Sequence, residues 1–285
     1  TAASSNNTAV GYGSMSAGAM NDAGNNSAFG ADALKDLTTG DNNTALGQLA
    51  ATDLSSGSSN VAVGRAALYK VAHDESDNVA IGTSAMEGAM QGELSTAGNT
   101  RELKQNVAIG SGALYGGTLS GTNHLEGNIA IGHQALDATS TYGKTGTVAI
   151  GHQSLSASTS GQRNTAIGYK SGNALTSADE CIAIGYEALL THTTGSKNIA
   201  IGYQCMYDTD ATDAEASTDN VCIGRQTMSG TWEAAGSSSN VLIGNSVMRG
   251  ANDGANNNVA IGFEALKSAT QADSNVFIGY QCSDA

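Results

Sequence analysis

The chain has 285 residues and a formal net charge of −14, from 26 acidic and 12 basic residues. This acidity argues against a nucleic-acid partner, because a protein that binds the phosphate backbone needs clustered lysine and arginine. No apolar run reaches the length of a transmembrane helix, so we expect no membrane insertion by this segment. The 37 glycines and the 5% aromatic content are typical of a disordered chain, but the apolar residues recur in register, which favours a folded repeat.

A motif that ends in glycine recurs along the chain, from Asn7–Gly11 to Asn275–Gly279. It occurs fifteen times, and its shortest and commonest spacing is 17 residues. A period with a fixed minimum and a variable excess indicates a stacked structural repeat that carries insertions. We therefore predict a single repeat domain over residues 1–285.

The positions of the motif differ in their residue types. Four positions before the glycine stands Asn in thirteen of the fifteen repeats, with Thr147 and Cys181 as exceptions. Val, Ile, Thr or Ser follows, then mostly Ala, then a larger apolar residue, and Leu or Met stands mostly four positions after the glycine. This alternation predicts a short strand with Val and Ile on one face and Ala on the other. We expect Val, Ile and the later Leu or Met to fill the interior, and Ala to form a flat outer face.

The predicted fold is all-β, a parallel β-solenoid of about 15 turns of 17 or more residues, with strands about 4.8 Å apart. We expect the glycine to have a positive φ or to lie against another backbone segment. Asn tolerates left-handed conformations and is expected in a turn, where its side chains can form a ladder.

A coil this thin buries little apolar surface for its length, so we expect identical chains to pack together through the Ala face, as a homotrimer. The predicted interface residues are the alanines two positions before glycine: Ala80, Ala108, Ala130, Ala149, Ala166, Ala183, Ala200 and Ala260.

Longer spacings predict a larger insertion at residues 87–105 and smaller ones at 115–127, 207–219 and 229–239. Loops on a rigid scaffold often carry binding residues, and an exposed Trp is common at binding surfaces. We therefore select Trp232, Arg101 and Tyr115 as candidates for binding a surface.

Sequence motifs for metal binding, disulfide bonds and catalysis are weak or absent in this chain. Residues 208–215 have part of the spacing of a calcium loop but lack its central Gly and distal Glu, which favours a solvated acidic loop. His133 and His152 share a position in successive repeats, a weak indication of a transition-metal site. The four cysteines replace repeat residues, which indicates small buried side chains rather than disulfides. We find no enzyme signature, and we expect no cofactor.

The unit Asn-x-Ala-Ile-Gly-x-x-Ala-Leu, best matched at Asn164–Gly168, Asn198–Met206 and Asn258–Leu266, resembles the head repeats of trimeric autotransporter adhesins. It is still more similar to the 17-residue repeats of phage tail-fibre proteins. The resemblance covers nearly the whole chain and implies a left-handed parallel β-roll, three chains side by side and a role in attachment. The heptad stalk, membrane-anchor strands and chaperone domain of these families are not recognisable here.

The leading hypothesis is therefore a non-catalytic fibre or spike segment of a virion that displays loops to a glycan or protein receptor on a host surface. The alternatives are a bacterial trimeric surface adhesin or extracellular filament subunit and, less favoured, a glycan-depolymerising tailspike. The expected location is a virion appendage or the cell surface.

Overall fold

The structure, a computed structural model, describes residues 5–17, 20–71, 75–88, 103–116, 124–138, 143–207, 217–230, 236–250, 254–267 and 272–282. Over these ranges the protein is all-β, and it has no helix that could cross a membrane. Its strands stack in parallel, which confirms the predicted β-solenoid.

The chain forms two compact units, Thr1–Thr147 and Val148–Ala285. Both units are built from the same repeat. Because each turn of a solenoid contacts only its neighbours, no single core has to extend along the whole chain.

A three-residue strand ends directly before each of the fifteen motif glycines. The first unit contains β1 (Thr8–Val10), β2 (Ser27–Phe29), β3 (Thr44–Leu46), β4 (Val61–Val63), β5 (Val79–Ile81), β6 (Leu103–Lys104), β7 (Val107–Ile109), β8 (Leu125–Glu126), β9 (Ile129–Ile131) and β10 (Lys144–Thr145). The second unit contains β11 (Val148–Ile150), β12 (Thr165–Ile167), β13 (Ile182–Ile184), β14 (Ile199–Ile201), β15 (Val221–Ile223), β16 (Val241–Ile243), β17 (Val259–Ile261) and β18 (Val276–Ile278).

Within each unit the motif strands pair in parallel, so that equivalent residues of successive turns lie side by side. In the second unit, for example, Ala166 of β12 pairs with Ala183 of β13, and Ile167 pairs with Ile184. In the first unit the short strands form a second sheet in the order β10–β8–β6. Each repeat position therefore forms a column that runs across the strands.

The motif glycines have the predicted positive φ, and most of them also lie against the backbone of the next turn. Their φ angles range from 127° at Gly64 to 146° at Gly30. A Cβ atom on Gly110 would lie 2.5 Å from the carbonyl oxygen of Gly132 in the next turn. Any side chain here would collide with backbone, so the repeat requires glycine.

The motif asparagines form the predicted ladder. The backbone N–H and the side-chain amide of Asn43 both donate to Oδ1 of Asn26, at 2.8 and 3.1 Å. The same amide donates to the carbonyl oxygen of Gly57 at 2.8 Å. Each buried Asn thus links neighbouring turns and accepts a hydrogen bond from a backbone N–H group that would otherwise lack a partner.

Left-handed residues surround the ladder, but the motif asparagines are not among them. The residue before the Asn has positive φ, as at Ser59 (61°) and Asp77 (60°). Residues two and four positions after the glycine also have positive φ, as at Glu187 (53°) and Leu189 (52°). The motif Asn therefore contributes its side chain to the ladder, and the residue before it takes the left-handed conformation of the turn.

The two faces of the strands are reversed from our expectation. The Ala column points into the coil and is buried in a single chain, whereas the residues on either side of Ala point outward. The interior position of Gly172 shows what the Ala column faces, because a Cβ there would lie 3.6 Å from Cβ of Ala166. Likewise, Sγ of Cys222 lies 3.2 Å from Sδ of Met228. The Ala column thus packs against the Leu or Met column of the same turn, which favours a small residue in most turns, although the buried Leu242 occupies the same column.

The predicted Ala interface is therefore wrong. These side chains are at most 1% exposed within one chain, so they cannot form an outer surface: Ala80, Ala108, Ala130, Ala149, Ala166, Ala183, Ala200 and Ala260. The predicted burial of the later Leu or Met is confirmed, for example at Leu68, Leu136 and Met206.

The cysteine prediction is confirmed in large part. All four thiols are free. Cys181, Cys205 and Cys222 are buried, and only Cys282 is partly exposed.

The C-terminal ends of the predicted insertions belong to the coil. Leu103 and Leu125 are buried and pair with each other in the second sheet. In the second unit, Ser217 and Ser237 are buried, and the Ser237 N–H donates to Oγ of Ser217 at 3.1 Å. Variable spacing marked these segments as a whole as loops, although each ends in residues that the coil requires.

Candidate functional site

A cleft with a volume of about 240 Å³ lies on the surface of the first unit. We call it the Tyr115 cleft. Its walls come from three successive turns, those that follow β5, β7 and β9, and its lining residues are Ser84, Ser111, Gly112, Tyr115, His133, Gln134 and Asp137.

The stacking of the turns brings these residues together. The N–H of Gly112 donates to the carbonyl oxygen of Thr83 at 3.0 Å, and the N–H of Gln134 donates to that of Ser111 at 3.0 Å. As a result, Gly112 and Gln134 occupy the same column, two positions after the motif glycine. Residues distant in sequence are thereby held on one rigid backbone.

A missing side chain opens the cleft at Gly112. Its φ of 64° resembles the 57° of Ser84 and the 53° of Gln134, which are not glycines. A Cβ on Gly112 would contact only Cγ of Gln134, at an ordinary 3.6 Å. Close backbone packing therefore does not explain this glycine, in contrast to the motif glycines.

The cleft combines an aromatic ring with polar groups. The Tyr115 side chain is 41% exposed. Burial raises the pKa of the Asp137 carboxyl, while its own backbone N–H and the charge of the nearby His133 oppose that shift. The hydroxyl groups of Ser84 and Ser111 can donate or accept, and the Gln134 amide can do both.

The second unit carries a ladder of stacked aromatic rings directly after the motif glycines. His152, Tyr169, Tyr186 and Tyr203 stack in sequence with centroids 5.3, 5.2 and 5.3 Å apart. The guanidinium of Arg225 lies 5.7 Å from the centroid of the Tyr203 ring. Each inner ring is covered on both faces by its neighbours, so the faces of these rings are not available to a ligand. The ladder presents only the ring edges to solvent.

A hydrogen-bonded ladder follows one position later. The Gln204 amide donates to Glu187 Oε2 at 3.0 Å, and the Gln226 amide donates to Gln204 Oε1 at 3.1 Å. The hydrogen bond with Glu187 also raises the pKa of the Tyr186 phenol. These side chains are engaged with one another, so this face of the second unit is a stabilising surface more than a binding site.

A different surface runs along the outward side of the motif strands. Ile81 and Ile109 in the first unit, and Ile167 and Ile223 in the second, are each 36 or 37% exposed despite being large and apolar. Together with the flanking Val and Ile column they form what we call the outer apolar face. Apolar patches of this kind on soluble proteins mark sites of association.

The candidates selected from the sequence fall in different places. Tyr115 lines the cleft, whereas Trp232, Arg101 and the acidic residues 208–215 lie outside the described residues. His133 lines the cleft beside Asp137, and His152 stacks on Tyr169. Within the described ranges, no three His, Cys, Asp or Glu side chains are grouped as metal ligands would be.

Sequence reasoning missed Gly112 and Asp137. The signal at Gly112 was a glycine in a column that carries larger residues in the other turns, such as Gln134 and Gln153, except at Gly13. Asp137 had no signal, because the column five positions after the motif glycine holds residues of many types, such as Lys35, Tyr69 and Ser156.

Comparison of the chain with protein-family models, with curated proteins and with solved structures finds no match.

Proposed function

We propose that this chain is a non-catalytic structural segment of a virion fibre or spike, in which three identical chains pack together and display surface sites for attachment to a host. The observation that carries the proposal is the outer apolar face. It repeats in successive turns of each unit, and association of identical chains would remove it from water.

The outward Ile and Val side chains favour association of identical chains more strongly than an Ala face would. An Ala interface would offer one small side chain per turn, whereas the outward face offers two larger apolar ones in many turns, as at Ile182 and Ile184. A solenoid whose strands present a regular apolar column suits packing against copies of itself, because every copy has the same spacing between turns.

The assembly is tested by the mass of the purified chain in sedimentation or light scattering. We expect three times the 28.5 kDa of one chain. A stable single chain at micromolar concentration would contradict the proposal.

The location is tested separately by electron microscopy with antibodies raised against the purified chain. We expect labelling of the appendages of virus particles from the stock that carries the gene. Labelling confined to bacterial cell surfaces would contradict the virion assignment and support the surface adhesin.

A further inference from the structure

We propose that the Tyr115 cleft binds one neutral pyranose unit of a surface glycan. This inference rests on the proposed attachment function and assigns it a site and a ligand class.

The size of the cleft sets the scale of the ligand. Its volume of about 240 Å³ is below the roughly 300–1,000 Å³ of pockets for drug-sized molecules. A single sugar ring with its substituents is of the right size, whereas a peptide segment or a nucleotide would extend well beyond the cleft.

The lining matches the two surfaces of a sugar ring. Tyr115 supplies an exposed aromatic ring against which the C–H face of a pyranose can pack. Ser84, Ser111 and Gln134 each offer both donor and acceptor capacity, as sugar hydroxyls do. The Asp137 carboxylate accepts hydrogen bonds from hydroxyls, and such charge-assisted bonds are stronger than neutral ones.

The charge of the site selects a neutral ligand. Asp137 lies in the cleft, and the chain has a net charge of −14, so an acidic sugar would meet repulsion. The cleft holds a single carboxylate beside an imidazole, which is too little negative charge to favour a polycation.

Gly112 provides the sharpest variant for a test. Gln is found in the same backbone conformation in the next turn, at Gln134, so Gly112→Gln fills the cleft without forbidding the fold. Lys170→Gln is the matched control, since it places the same side chain at the equivalent position of another turn, where φ is 51°.

The binding experiment uses saturation-transfer NMR on the full chain with the methyl glycosides of glucose, galactose and N-acetylglucosamine. N-acetylneuraminic acid serves as the acidic comparison. We expect at least one neutral glycoside to bind with a dissociation constant on the order of 1 mM, as befits a ligand with few atoms. Asp137→Asn should weaken binding about tenfold, and Gly112→Gln should abolish it, while Lys170→Gln leaves it unchanged.

Three results would overturn the inference: no transfer to any neutral glycoside, stronger binding of the acidic sugar, or unchanged binding by folded Gly112→Gln and Asp137→Asn. Folding is checked by circular dichroism, and Asp137→Asn decides the matter if Gly112→Gln does not fold. A trimer on virion appendages that ignores all the glycosides would contradict this inference alone. A glycoside-binding single chain would contradict only the proposed fibre.

Discussion

At the scale of single residues, glycine occurs in this chain for two different physical reasons. Gly110 has a φ of 132° and lies against the carbonyl group of the next turn, so a side chain there is excluded. Gly112 has a φ of 64°, which its non-glycine neighbours in the column share. The backbone therefore requires glycine at position 110, whereas glycine at position 112 leaves room for the Tyr115 cleft.

This difference predicts unequal costs for the same substitution. Gly110→Ala should lower the free energy of unfolding by at least about 3 kcal/mol, because it adds a backbone collision to an unfavourable φ. Gly112→Ala should cost only about 1 kcal/mol, the usual price of a left-handed alanine. Denaturant unfolding of the two variants measures both values, and equal costs would contradict the distinction.

At the scale of the repeat element, the Asn ladder is interrupted at Cys181, and its thiol partly replaces the missing amide. The thiol of Cys181 donates to the carbonyl oxygen of Gly195, with Sγ 3.3 Å from that oxygen. The backbone N–H groups of Asn198 and Lys197 donate to the Cys181 sulfur. In the preceding turn, Asn164 makes the equivalent bond to Ala178 at 2.7 Å. Sulfur is a weaker donor and acceptor than an amide, so this turn is held less firmly.

We therefore expect Cys181→Asn to raise the free energy of unfolding by about 1 kcal/mol near neutral pH. The gain should grow in alkaline solution. Burial raises the pKa of the Cys181 thiol from 9.0 to about 11, so the wild type loses stability as pH rises from about 9 to 11, by about 1.4 kcal/mol per pH unit. The variant lacks this loss.

Unfolding of both proteins at pH 7 and pH 10 measures the difference. A constant difference across this range would show that Cys181 is not buried as described. The other cysteines are unchanged between the two proteins, so their ionisation cancels in the comparison.

The repeat pattern predicted the strands, the glycine geometry and the Asn ladder, because each depends on spacing along the chain. It did not predict which strand face is interior, since alternation fixes only that two faces differ. A polarity signal was nevertheless present. The outward column includes Thr44 and Thr165, whereas the inward column holds only apolar residues such as Ala45, Cys222 and Leu242. The cleft was not predicted, because its lining residues, such as Tyr115 and Asp137, occupy columns whose residue type varies from turn to turn.

At the scale of the whole molecule, the proposed self-association depends on the outer apolar face. Each turn encloses a narrow interior of Ala, Leu and Met, and it leaves larger β-branched residues outside. Association of identical chains would cover those residues. The Tyr115 cleft, in contrast, is lined by residues of the turns that follow the strands and by none of the outward strand residues. Assembly and ligand binding can therefore be altered independently.

The most direct measurement compares glutamate at two adjacent positions of β12, one inward and one outward. Ala166 is fully buried, and Ile167 is 37% exposed. Ala166→Glu should lower the β signal in circular dichroism by unfolding the turns around β12, because an unpaired buried carboxylate costs several kcal/mol. Ile167→Glu should keep that signal and lower the mass measured by light scattering towards that of one chain. The reverse pattern, with Ala166→Glu folded but dissociated and Ile167→Glu unfolded, would contradict the account.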